Sequence, residues 1–121
     1  MLASRPSMAA GEHYRTHERR PVRLGALVRQ DGGVWSSRGL VVDLSLGGAC
    51  VETGQRLEPG SPLILEILAP TLWDPLVLRG RVAWAVPAIG KQAARFGLRF
   101  VPEEGPALFA LFEVLAAHAY E

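Results

Sequence analysis

At 121 residues, just under half of them apolar, the chain is long enough for one compact domain with its own core. Its 13 basic and 12 acidic side chains leave a formal charge of +1, too small an excess for a broad electrostatic DNA binder. One cysteine excludes an intramolecular disulfide and a zinc site built from cysteines.

Residues 1–11 are small and polar, without the apolar run of a signal peptide. No stretch approaches the length of a membrane span, and a reducing cytoplasm is the expected compartment. Residues 1–12 read as a flexible tail ahead of one domain over 13–121. The segment Glu12-His13-Tyr14-Arg15-Thr16-His17-Glu18-Arg19-Arg20 is charged and carries no apolar stripe, which predicts an exposed arm. Pro21 then leads into extended chain.

From Val22 the pattern has period two. Val22, Leu24, Ala26 and Val28 share one face, a half-buried first strand. Asp31-Gly32-Gly33 is a hairpin turn, since glycine supplies the positive φ of tight turns. A second strand is expected from Val34 to about Leu44. The turn at Gly47-Gly48 follows, then a short strand over Ala49 to Glu52 in which Cys50 reads as a buried, inert thiol. Leu63 to Leu68 is a fourth strand. The fifth, Leu76 to Val86, is expected to bury Leu76, Leu78, Val82, Trp84 and Val86 with Gly80 and to turn Arg79 and Arg81 outward. The sixth sets Ala94, Phe96, Leu98 and Phe100 against Arg95, Gly97 and Arg99. Trp35 and Trp73 are expected to pack on the rim. From Pro106 to Tyr120 the period lengthens, and Leu108, Leu111, Phe112 and Leu115 form the stripe of a helix that Pro106 can start. An all-β chain of this size closes into a six-stranded antiparallel β-barrel, here with a C-terminal helix.

The basic side chains are 12 arginines and one lysine, Lys91. Arginine offers a flat, forked donor that grips phosphates, pairs with guanine edges and stacks on rings. Two patterns concentrate polar chemistry. Arg15 and Arg19 lie four apart in the arm. Asp43-Leu44-Ser45-Leu46-Gly47-Gly48 ends the second strand, where alternation would point Asp43 and Ser45 to one face and Val42, Leu44 and Leu46 to the core. Gly48 permits a sharp turn and bare backbone N–H groups. A carboxylate accepts only and matches the N1–H and N2–H edge of guanine. Two guanidinium forks, one acceptor and one hydroxyl suit a compact, anionic, guanine-containing molecule. Read separately, the arginines are surface charge and Asp43 and Ser45 are a turn. The joint occurrence favours a ligand. His13 and His17, four apart, lack the partners of a metal site, and no Ser-His-Asp order, Gly-rich phosphate loop or carboxylate pair suggests catalysis, so no enzyme is expected.

The stretch Arg15-Thr-His-Glu-Arg19-Arg-Pro-Val-Arg-Leu resembles the Arg-x-x-x-Arg motif of PilZ domains, and Asp43-x-Ser45-x-x-Gly48 their Asp/Asn-x-Ser-x-x-Gly motif. Gly80-Arg-Val-Ala-Trp84 and Phe96-Gly-Leu-Arg-Phe100 resemble the later strands. The resemblance runs from about residue 14 to the C-terminus. It implies a bacterial receptor for cyclic di-GMP with no cofactor. Arg15 and Arg19 would grip phosphates and guanines, Asp43 and Ser45 a guanine edge, and Gly48 would allow close backbone approach. Tyr14, Arg20, Gly47 and Arg95 are secondary contacts, with one ligand or a stacked pair both open. Ordering of the arm would be read by a protein partner in motility, biofilm or polysaccharide control, without nucleic acid or membrane insertion, from a monomer or homodimer. The alternative is a ligand-independent adaptor of the same fold.

Overall fold

Tight turns and period-two runs yield six strands in chain order: β1 (Arg20–Gln30), β2 (Ser36–Leu44), β3 (Gly48–Thr53), β4 (Pro62–Ile67), β5 (Leu76–Val86) and β6 (Arg95–Phe100), followed by one helix, α1 (Pro106–Ala117). The computed structural model describes residues 19–102 and 105–118. The expected tail and most of the arm, Tyr14 and Arg15 included, lie outside the described residues.

All six strands pair antiparallel in the order β1-β2-β3-β6-β5-β4, and β4 returns onto β1 to close the barrel. Closure removes the free edges on which another strand could template. Gly32 takes φ 78 in the β1–β2 turn, as that turn's sequence requires. The inner faces of the strands supply the core: Val22, Leu24 and Val28 of β1, Val41 and Leu44 of β2, Val51 of β3, Leu65 and Ile67 of β4, Leu78 and Val82 of β5, and Phe96 and Leu98 of β6.

Three register shifts interrupt the pairing; the one in β1 between Pro21 and Leu24 leaves that strand's buried face intact, and the other two each overturn an expectation. In β2, Val41 pairs with Val51 and Asp43 with Cys50, so Val42 is an extra residue on its strand. Val41 and Leu44 are the buried pair, three apart, and Val42 is half-buried. In β5, Val82 pairs with Leu98 and Trp84 with Gly97, so Ala83 is the extra residue. Trp84 and Val86 are thereby turned to the outside, Trp84 being 38% exposed, where simple alternation would bury both.

The helix also differs from its expected stripe. Leu111 and Val114 are buried, whereas Phe112 faces solvent. Apolar residues surround α1 almost completely, so its sequence offers two faces, and packing on β5 selects the one centred on Val114. Gly105 precedes it at φ 65, and Pro106 opens the first turn. Trp35 packs against the core as expected, but Trp73 is 103% exposed. The loop that carries Trp73, flanked by Pro70 and Pro75, is anchored by Ala69 in the core and Leu72 against it, which leaves Trp73 outward.

Candidate functional site

Past the β2 bulge, Asp43 lies on the outer wall. There it opposes Pro21 of β1 on one side and Cys50 of β3 on the other. Cys50 pairs with Gly97 of β6, and Gly97 with Trp84 of β5. One outer row thus runs Pro21, Asp43, Cys50, Gly97, Trp84. Strands stand about 4.8 Å apart, so Asp43 and Trp84 bracket a floor roughly 14 Å wide that carries only a thiol and a bare glycine.

Trp84 covers part of that floor. A Cβ built on Gly97 would fall inside the indole, against Nε1 and Cε2, so the ring lies directly on the glycine backbone. The residue as a whole stays 38% exposed. The neighbouring rows, about 7 Å away along the strands, hold the charges. Gly48, Arg99 and Arg81 align on one side, and Leu40, Glu52, Arg95 and Val86 on the other. Arg95 Nε and Asp43 Oδ1 are both buried without a hydrogen-bond partner among the described residues. Buried polar atoms in folded proteins nearly always have one, so two on a single face mark unmet hydrogen-bonding capacity.

Arg19, the first described residue, reaches this face. Its Nη1 donates to Asp43 Oδ2 at 3.4 Å, a partly exposed ion pair between groups 24 positions apart in sequence. Arg20, half-buried, begins β1 opposite Leu44. Of the sequence-derived set, Arg19, Asp43, Gly48 and Arg95 therefore share one wall, and Arg15 and Tyr14 fall outside the described residues.

Ser45 departs from expectation. β2 ends at Leu44, so strand alternation does not orient the residue, and Ser45 is only 7% exposed. Its Oγ accepts from the amides of Gly47 (3.2 Å) and Gly48 (3.1 Å) and donates to the Gly48 carbonyl (3.2 Å), while its own amide donates to that carbonyl at 2.9 Å. The hydroxyl shapes the turn rather than standing beside Asp43. Gly47 extends that turn to the last strand, its carbonyl accepting from Phe100 N at 2.9 Å. Gly48 is required by space: a Cβ there would run into the Leu98 carbonyl.

Cys50 is half-buried on the floor rather than in the core. Burial raises its thiol pKa above the ordinary value. Arg95 and Arg19 pull it down, and Asp43 and Glu52 push it up. The thiolate is the reactive form. Alkylation by iodoacetamide near neutral pH should therefore be slower than for a free thiol, and its rate should rise only above the usual thiol titration. A pH–rate profile followed by mass spectrometry checks this, and a profile centred below the free-thiol value would contradict the assignment.

Sequence reasoning missed Trp84 and Cys50 as parts of this wall. One cue was present: Gly97 sits between large side chains in a strand, where glycine marks a close approach. Among the described residues no group of three or more His, Cys, Asp or Glu could hold a metal ion, and no helix is long and apolar enough to cross a membrane.

Comparison with known proteins follows the same outline. The family model described as PilZ domain matches residues 13–115. No curated protein matches the chain. Among solved structures, the PilZ domain of CeSA from a cellulose-synthesizing bacterium superposes with a TM-score of 0.62 at 20% identity, over 83% of this chain and 97% of that one. The PilZ domain of YcgR from Escherichia coli, solved with c-di-GMP, gives 0.69 at 15% identity, over 85% and 89%. The Bacillus subtilis inhibitor of motility, MotI/DgrA, gives 0.69 at 18%, over 88% of this chain but only 52% of that one. At these identities the likeness is one of fold.

Proposed function

Since the chain belongs to the PilZ domain family, we propose that it is a receptor for cyclic di-GMP, held on the outer wall between Asp43 and Trp84. The observation that carries this reading is the meeting of the two motifs: Arg19 of the first touches Asp43 of the second, beside a carboxylate oxygen that has no partner among the described residues. The solved E. coli domain that binds this molecule shares the fold.

The chemistry of the wall fits such a ligand. Asp43 accepts from the N1–H and N2–H edge of a guanine. Arg19 exchanges its carboxylate partner for a phosphate oxygen, a stronger charge-assisted acceptor once the guanine has claimed Asp43. The open face of Trp84 gives a base a surface on which to stack. Arg95 supplies a further cation whose Nε has no partner among the described residues. Ser45 acts through the turn, holding the Gly47 and Gly48 amides in place. Arg15 closes the ligand from the arm, and Tyr14 stacks on the second base. The resulting order in the arm is what a protein partner reads, a common form of switch.

Titration calorimetry with cyclic di-GMP, cyclic di-AMP and GTP tests the assignment. The expected result is saturable heat with cyclic di-GMP alone and its loss in Arg19→Ala. Absence of heat with the wild-type chain, or unchanged affinity in Arg19→Ala, would refute it.

A further inference from the structure

Three arginines stand along one edge of the floor between Asp43 and Trp84. Arg20, Leu44, Ala49, Leu98 and Val82 form one paired row across β1, β2, β3, β6 and β5. Arg19 precedes Arg20, Gly48 precedes Ala49, Arg99 follows Leu98 and Arg81 precedes Val82, so all four lie beyond that row on the same side. The opposite edge is balanced, since Arg95 pairs with Glu52. This edge is not. Arg99 pairs with Gly48 on one side and with Arg81 on the other, and no acidic residue stands with them among the described residues. Like charges directly opposite one another destabilise a sheet. Arg81 finds relief on its far side, where its Nη1 donates to the Gly60 carbonyl at 2.9 Å. Arg99 is exposed and has no hydrogen-bond or ion-pair partner among the described residues.

We infer that Arg99 holds the second phosphate of the ligand, the one that Arg19 does not hold, and so selects a ring with two phosphodiesters over a ligand with one. The inference rests on the reading of the wall as a cyclic di-GMP site. Position supports it first. The Arg19 guanidinium already lies at Asp43 on β2. Asp43 and Arg99 stand two strands apart, roughly 10 Å across the wall and about 7 Å along it. Between them the floor carries only Cys50 and Gly97 ahead of the Trp84 indole, so a ribose–phosphate ring meets no other large side chain. One phosphodiester is too small to touch both cations. A macrocycle with a phosphodiester on either side of its ring can reach both. Charge supports it second. Arg95 already has a carboxylate across from it, whereas Arg99 faces a bare glycine and another cation, and a bound phosphate is the anion this edge lacks. The guanidinium fork can give two parallel hydrogen bonds to one phosphate, which fixes its orientation as well as its charge.

Titration calorimetry with cyclic di-GMP and with GpG, the linear dinucleotide that has both guanines but one phosphodiester, tests the assignment. Arg99→Ala should raise the Kd for cyclic di-GMP about tenfold or more, the value of a lost charge-assisted hydrogen bond, and that for GpG by less than about twofold. Arg99→Lys keeps the charge but not the fork and should fall between wild type and alanine. Arg38→Ala is the control for diffuse charge. It removes an exposed arginine of β2 on the far side of Leu40, opposite Leu27, and should leave both affinities unchanged. The urea midpoint of Arg99→Ala should equal or exceed that of wild type, because the neighbour it loses is a like charge. Unchanged cyclic di-GMP affinity in Arg99→Ala overturns the inference. So does an equal loss for the two ligands, or an equal loss in Arg38→Ala. The Arg38 control decides the matter even where GpG binds too weakly to titrate. Binding that is lost in Arg19→Ala but kept in Arg99→Ala removes Arg99 and leaves the receptor reading standing, whereas a wild-type chain that does not bind cyclic di-GMP removes both.

Discussion

Asp43→Ala should weaken cyclic di-GMP binding by about 2–4 kcal/mol, since truncating one partner of a desolvated charged hydrogen-bond pair costs that much. At ~1.4 kcal/mol per decade this is a roughly 30- to 700-fold rise in Kd. The same substitution should leave folding nearly untouched. The Arg19–Asp43 pair is partly exposed and 3.4 Å long, and such pairs contribute about 0–1 kcal/mol. Removing Asp43 also removes the buried Oδ1 that has no partner among the described residues, an offsetting gain. Asp43→Asn is the sharper version. It keeps the shape but turns one acceptor into a donor, which would face the guanine's own N–H groups. It should bind no better than alanine, although Asn preserves more contact area. Calorimetry and urea denaturation on the same three proteins separate the two effects. Wild-type affinity in Asp43→Ala would remove the carboxylate from the site, and a large drop in stability would show it to be structural instead.

The fold was legible wherever a strict period held. β1 and β6 bury the residues that alternation assigns, and the turn glycines fall where the chain reverses. The misreadings within strands share one physical cause. A bulge adds a residue to one strand only, and a sequence carries no mark of the partner strand against which that residue is extra. The slip after Val41 buries Val41 with Leu44 in place of Val42, and the slip after Val82 turns Trp84 to the outer wall. The functional motifs were legible as residue types but not as geometry. Asp43 was placed outward for the wrong reason, and Ser45 was treated as a strand residue although its hydroxyl satisfies the amides of its own turn. α1 misled in another way: a helix apolar on both sides has no unique inward stripe, and only its packing on β5 decided between them.

The bulge at Ala83 and the glycine at position 97 make sense only together, and Gly97→Val probes both. Valine suits a strand, and Gly97 has no positive φ, so the backbone should accept the substitution. The nearest obstacle is the indole: a Cβ at position 97 enters the space Trp84 occupies. The ring must swing into water, and such overpacking costs about 1–3 kcal/mol. Its loss as a stacking surface should weaken cyclic di-GMP by another ~1–3 kcal/mol, the value of one base on an aromatic platform. Fluorescence follows the ring directly once Trp35 and Trp73 are replaced by phenylalanine: emission should shift to the red in Gly97→Val. Adding Trp84→Ala to Gly97→Val should return most of the lost stability, because the two residues compete for one volume and their effects cannot add. The lost affinity should not return, since no aromatic face remains. If Gly97→Val melts like the parent with unshifted emission, the indole does not rest on the glycine and the floor between Asp43 and Trp84 is not built as described.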